Sequence, residues 1–149
     1  MHRAVFATTL ILLTPAICAG ALSIEAAIEQ RQAAFKAMKD DVKLIKDALR
    51  IKQPADIVAA ASEPAAQLVS NSKSLLGTFV AGSDQGDTRA KKKIWKKWAD
   101  FEARQNALIS DAERLLAASA TGSQADLKTA FKALAKNCKG CHRRYRQIF

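Results

Sequence analysis

Five residues near the C-terminus have the types and spacing best suited to chemistry: Cys138-Lys139-Gly140-Cys141-His142, a C-x-x-C-H run. This is the attachment signature of a c-type haem. Two thiols at that spacing can reach one edge of a single porphyrin and add across its vinyl groups. The imidazole that follows is then held under the iron as proximal ligand. That histidine separates the run from a bare C-x-x-C. A thioredoxin-like dithiol would follow a strand and open a helix in a βαβ unit, and nothing upstream reads as such a strand. A structural zinc site needs four ligands, and the only other cysteine and histidine are Cys18 and His2. Local chemistry therefore assigns Cys138 and Cys141 to one covalent haem c and His142 to its iron.

The rest of the chain must position that group. At 149 residues a single domain is expected. Residues 1–21 read as a cleavable signal peptide. His2 and Arg3 form a short positive region, Ala4 to Cys18 is mostly apolar, and Ala19-Gly20-Ala21 offers an A-x-A cleavage site. The segment is too short and wrongly flanked for a membrane span. Bulky Ile17 argues against Cys18 as a lipoprotein cysteine. The processed chain, 22–149, keeps two cysteines, both in the motif. Export agrees with covalent haem, so a periplasmic location is expected. The net charge of +10 invites a nucleic-acid or membrane-surface reading. The lysines are scattered along helical segments of an exported chain, so nucleic acid is rejected as partner. A solvated basic surface that steers acidic redox partners is the simpler account.

Helical periodicity dominates what remains. Ser23 is a candidate N-cap with Glu25 in the first turn. Ile24, Ile28, Phe35, Met38, Val42, Ile45 and Leu49 then mark one face of a long helix. Pro54 suits the start of a second helix, in which Pro64 should cause a kink or a split. Residues 77–88 form the one long connection. A third helix, expected to be continuous, carries Ile94, Trp95, Trp98, Phe101, Leu108, Ala112, Leu115 and Leu116. The stretch at Arg104 and Gln105 does not end it, because both stems can lie over apolar neighbours. Gly122 ends this helix and Ser123 caps the fourth. On the fourth, Cys138 and Cys141 face the core side. The fold class is all-α, an antiparallel up-down-up-down four-helix bundle, with the haem inside it near one end.

Four stretches together resemble the cytochrome c′ family. Cys138-Lys139-Gly140-Cys141-His142-Arg143-Arg144-Tyr145-Arg146 looks like that family's C-K-x-C-H-x-x-Y-R. Arg31-Gln32 with Phe35 and Met38 resembles its first-helix segment. Gly86-Asp87-Thr88-Arg89 before Ile94-Trp95 resembles G-D-A-R…I-W, and Phe101 follows as in the family. The resemblance implies five-coordinate high-spin iron, with His142 on one face and Phe35 in the distal seat over the other. It implies binding of small neutral gases, NO and CO, possession of a redox function with an unknown partner, no enzymatic turnover, and a homodimer through the first two helices. Arg31 and Gln32 match residues that hold a haem propionate, a task suited to arginine's planar fork. Arg146 matches an arginine on the proximal side. Low-spin relatives place methionine in the distal seat. The alternative here is therefore an electron carrier with Met38, one turn from Phe35, as sixth ligand. Core packing is the competing role for Met38, and bundle packing is expected for Trp95 and Trp98. Arg143 and Arg144 replace a commonly acidic or small pair, and two residues are inserted before Ile94.

Overall fold

The computed structural model describes residues 22–147, and the expected signal peptide lies outside them. Helix α1 spans Ile24–Ala48 and opens on Ser23, whose Oγ accepts from the Ala26 N–H at 3.1 Å. Helix α2 spans Pro54–Ser74 with Pro54 at its first turn. A 3₁₀ turn, Leu76–Thr78, leads into the long connection. Helix α3 is one turn, Lys93–Lys96; α4 spans Trp98–Ala120, and α5 spans Gln124–Tyr145, capped by Ser123 onto the Asp126 N–H at 3.2 Å. Among the described residues there is no strand, only an isolated bridge between Ala90 and Arg146. The four long helices are the expected bundle.

One expectation changes. The helix expected to run unbroken from Ile94 is interrupted at Lys97, whose φ −132° and ψ 46° are not helical. The polar stretch at Arg104 and Gln105 is continuous helix, as expected, and Gln105 is buried there, donating to Ser72 O at 2.7 Å. The interruption lets the two tryptophans leave the strict helical stripe. Trp95 Nε1 donates to Val80 O at 3.1 Å, and Trp98 packs on Phe101. Both pack the bundle, as expected. Pro64 does not split α2, which runs through it with the ring buried. A proline removes one intrahelical hydrogen bond, and burial on the packed face of α2 holds the turn together.

Packing proceeds in series: α1 on α2, α2 on α4, α4 on α5. The main core gathers Ile45, Ile57, Leu68, Leu115, Leu127 and Leu134, all fully buried. Each contributes about 1.5–3 kcal/mol relative to exposure. A second, aromatic cluster of Phe79, Ile94, Phe101 and Tyr145 lies beneath the loop and α3. The fourth side of the bundle, between α1 and α5, lacks the close packing of the other three. At one end those helices are tied by Gln124, whose Nε2 donates to Leu49 O and Ile51 O, both at 2.9 Å. Toward the other end they leave a cleft.

Gly122 makes the α4–α5 turn tight. Its φ is +69°, and an added Cβ would lie 2.8 Å from Pro54 O. Gly122→Ala is therefore expected to lower stability by about 2–3 kcal/mol, combining left-handed backbone cost with a backbone clash. Urea unfolding of the mature protein measures it, and an unchanged midpoint contradicts it.

Candidate haem site

The cleft between α1 and α5 has two lobes, of about 660 and 220 Å³. Phe35, Lys39, Cys141 and His142 line both. The Phe35 and His142 rings face each other edge-on with centroids 6.0 Å apart. Helix α1 contributes the first and α5 the second. The pinch between the lobes is thus made by the two side chains the sequence assigned to opposite faces of one flat group.

The donor set fits a covalently held haem. Cys138 and Cys141 are free thiols three residues apart on α5, both half-buried. Cys138 packs against the main core and Cys141 against the aromatic cluster. Burial pushes the Cys138 thiol up to about 11 and raises Cys141 as well. Reactive redox dithiols show the opposite shift, so the pair reads as an attachment point. His142 is pushed below its ordinary value, first by burial and then by the charge of Arg146. The neutral imidazole, the form that ligates metal, is favoured. Among the described residues no cluster of three or more His, Cys, Asp or Glu could hold a bare metal ion. Lys36, Lys39, Arg89 and Arg146, all exposed, surround the mouth of the larger lobe, where propionate carboxylates would find positive charge.

Arg31 has work in the fold beyond the propionate role that the resemblance implies. It lines the cleft but is only 3% exposed, and the protein already holds its fork. Nη1 donates to Thr78 O at 3.2 Å and Ser83 Oγ at 3.0 Å. Nη2 donates to Ser83 O at 2.9 Å and Thr88 Oγ1 at 2.8 Å. The guanidinium also lies 4.7 Å from the centre of the Phe79 ring. A buried cation needs acceptors to replace water, and the 78–88 loop supplies them, so the fork clamps the loop instead of being offered whole to a propionate. Gln32 does similar work, Nε2 donating to Asp87 O at 2.6 Å. Arg146 lies where expected, beside His142, and caps α5 with its N–H on His142 O at 2.9 Å. Met38 is 5% exposed, packed in the main core, and lines only the smaller lobe.

The structure adds residues the sequence left without a role. The loop clamped by Arg31 is also joined to α5: Lys91 N donates to Tyr145 O at 2.9 Å and Gln147 N to Arg89 O at 2.8 Å. One loop thus braces both walls of the cleft. Tyr145 in turn donates its hydroxyl to Asp100 on α4, which also accepts from Arg104 at 3.0 Å and pairs with Arg144 at 3.1 Å. Tyr145 belonged to the motif, but nothing in sequence pointed to Asp100 as its partner. Hydrogen bonds from Arg104 and then Tyr145 hold the Asp100 carboxyl down to about 2. Between that value and an ordinary aspartate the unfolded chain binds the extra proton, so Asp100 contributes stability above about pH 4 that is lost as pH falls through about 2. Asp100→Asn is expected to flatten that part of the acid unfolding profile. An identical profile for the variant counts against this role.

The sequence model of the family described as Cytochrome C′ matches residues 26–146. A relative from Agrobacterium fabrum, cytochrome c-556, is 32% identical over 139 residues, covering 93% of this chain and 92% of its own. The solved structure of cytochrome c prime from Shewanella frigidimarina superposes with a TM-score of 0.78 at 34% identity, over 85% of this chain and 98% of that one. A nitric oxide complex of a variant cytochrome c prime from Alcaligenes xylosoxidans superposes with a TM-score of 0.74 at 25% identity, over 84% and 97% of the two chains.

Proposed function

The chain belongs to the cytochrome c′ family and is a haem c cytochrome, and from that premise we propose that it is a periplasmic protein that binds NO and CO on the face of the haem under Phe35. The observation that carries this reading is the pairing of Phe35 with His142 across the cleft, while Met38 is packed into the core. Haem c, held through Cys138 and Cys141, supplies an iron that can take up a diatomic gas and exchange an electron. His142 gives that iron a neutral nitrogen. Phe35 has no lone pair to offer, and its ring covers the opposite face against water and anions, while a small neutral molecule can displace it. The nitric oxide complex of the Alcaligenes relative supports this choice of ligand.

His142 is the only histidine among the described residues. No second histidine therefore faces it from the Phe35 side, and the reading taken is a binding and redox protein. Residues 1–21 serve as the export signal. No helix of the described residues is long and apolar enough to cross a membrane. A homodimer through α1 and α2 completes the reading, and Leu44, 53% exposed on α1, offers it apolar surface.

A second reading retains one observation. Met38 lines the smaller lobe together with His142, so a turn of α1 could bring its thioether to the iron in a low-spin electron carrier. Absorption spectra of the mature protein, ferric, ferrous and ferrous with CO, separate the two. A broad ferrous visible band that sharpens with CO is expected, and Met38→Leu is expected to leave it unchanged. A sharp ferrous band indifferent to CO, lost in Met38→Leu, overturns the gas-binding reading.

A further inference from the structure

Asp111, on α4, is the only buried Asp or Glu among the described residues. Its Oδ2 accepts from Asn137 Nδ2 on α5 at 3.0 Å, and its Oδ1 pairs with Arg114, one turn along α4. Asn137 directly precedes Cys138, and both line the smaller lobe of the cleft. Leu108, one turn before Asp111 on α4, lines the same lobe. The countercharge is weak. The Arg114 side chain is 65% exposed, so water screens it, while the Asp111 side chain is 9% exposed. Arg104, the arginine that lines this lobe, is already paired with Asp100. A carboxylate taken out of water costs stability unless its partners replace that water. An asparagine could accept the same bond from Asn137 at lower cost. What only the carboxylate supplies is a fixed negative charge beside the helix that attaches the haem. That charge reaches Cys138: burial is the main cause of its raised thiol, and Asp111 adds to it.

We propose that Asp111 is a positioning residue for the haem, holding Asn137 and with it the Cys138 turn of α5, and that its charge stabilises the ferric over the ferrous state. The proposal rests on the haem lying in this cleft, attached through Cys138. Ferric haem carries one more positive charge than ferrous haem. A fixed negative charge behind low-dielectric walls therefore opposes uptake of the electron and lowers the reduction potential. Asp111 acts without touching the iron, through burial and hydrogen bonding around the attachment point, which are levers a protein has on a haem potential. Arg114 works against it from the surface. Removing that guanidinium leaves the carboxylate less compensated and strengthens its effect. Salt weakens the effect of exposed charges far more than that of a buried one, so the contribution of Asp111 persists where that of a surface acid fades.

The test is the one-electron reduction potential of the mature holoprotein and three variants, at low and at high salt. Asp111→Asn keeps the side-chain shape and an acceptor for Asn137 but removes the charge. At a fixed ambient potential its ferrous-to-ferric ratio is expected to rise about three- to tenfold, an upward shift of about 30–60 mV, and to keep that rise at high salt. Asp126→Asn makes the same change in net charge at the exposed first turn of α5. Its shift is expected to be smaller and to vanish at high salt. Arg114→Ala is expected to move the ratio the other way, by about twofold. A carboxylate with a packing role alone would change urea unfolding and leave the potential where it was. A potential for Asp111→Asn equal to that of the parent protein, or to that of Asp126→Asn, overturns the proposal. If Asp111→Asn does not accumulate as holoprotein, Arg114→Ala decides, since it alters an exposed side chain: a potential unchanged or raised overturns the proposal. The CO spectrum of each variant separates this proposal from the reading it rests on. Unmoved potentials with a normal CO response remove only the role of Asp111, and a ferrous band indifferent to CO removes the gas-binding reading.

Discussion

Phe35→Ala is expected to raise the CO affinity of the ferrous protein by roughly 2- to 12-fold. The ring stands across the cleft from His142 with centroids 6.0 Å apart, so any ligand on that face must first move it. Breaking an aromatic pair of this kind costs about 0.5–1.5 kcal/mol, and each 1.4 kcal/mol is a factor of ten in affinity. In the resting protein the open arrangement is a minor state, and apparent affinity falls by its population. Alanine removes that penalty without adding any new contact. On the proposed distal placement of Phe35, the same change should admit water and anions to the ferric protein. Stability should suffer little, by about 1 kcal/mol, because Phe35 is 36% exposed. CO titration beside urea unfolding measures both. An affinity unchanged by Phe35→Ala would mean the ring does not gate that face, and the distal assignment would fail with it.

The contrast between Phe35 and Arg31 marks how far sequence reading reaches. Cys138, Cys141 and His142 were legible because three scarce residue types at fixed spacing on one helix have few alternative uses. The four helices were legible because apolar spacing of three and four, with serine caps and Pro54, leaves one period to choose. That Phe35 and Arg146 stand near His142 was suggested only by the family resemblance, since no local pattern links Phe35 to a residue so distant in the chain. The break at Lys97 was not legible. Its lysines and tryptophans carry no helix-stop residue, and the break follows from where Trp95 finds Val80 O in the folded loop. The role of Asp100 was hidden for the same reason: an acid on a helix surface has no sequence mark of the tyrosine it will meet on α5. The loop contacts of Arg31 were not legible because its residue type fits two tasks. The same planar fork that suits a propionate also suits a loop rich in carbonyls and hydroxyls, and only the fold brings Thr78, Ser83 and Thr88 within its reach.

That clamp makes Arg31→Leu the most destabilising single change expected here. Its fork makes four hydrogen bonds to the loop, and removing it leaves the Thr78 and Ser83 carbonyls facing an apolar side chain. Hydrogen bonds to a charged group contribute about 1.5–3 kcal/mol each, with a further cost when a buried acceptor is orphaned. The four share one donor group and do not add, so a loss of about 3–5 kcal/mol is the expected total, a large share of a small domain's stability. Arg31→Lys should recover little, because an ammonium cannot reproduce the fork that spans Thr78, Ser83 and Thr88. The consequence extends to the site. The clamped loop lines the cleft through Asp87, Thr88 and Ala90 and joins the C-terminal end of α5 at Tyr145 and Gln147. Loosening it therefore releases both the α1 and the α5 wall, and CO binding should become heterogeneous as the spacing of Phe35 from His142 varies. Urea unfolding of the mature holoprotein reads the first effect and CO rebinding kinetics the second. A guanidinium devoted to a propionate would give another pattern: a loss near 1 kcal/mol, uniform CO kinetics, and a shifted reduction potential.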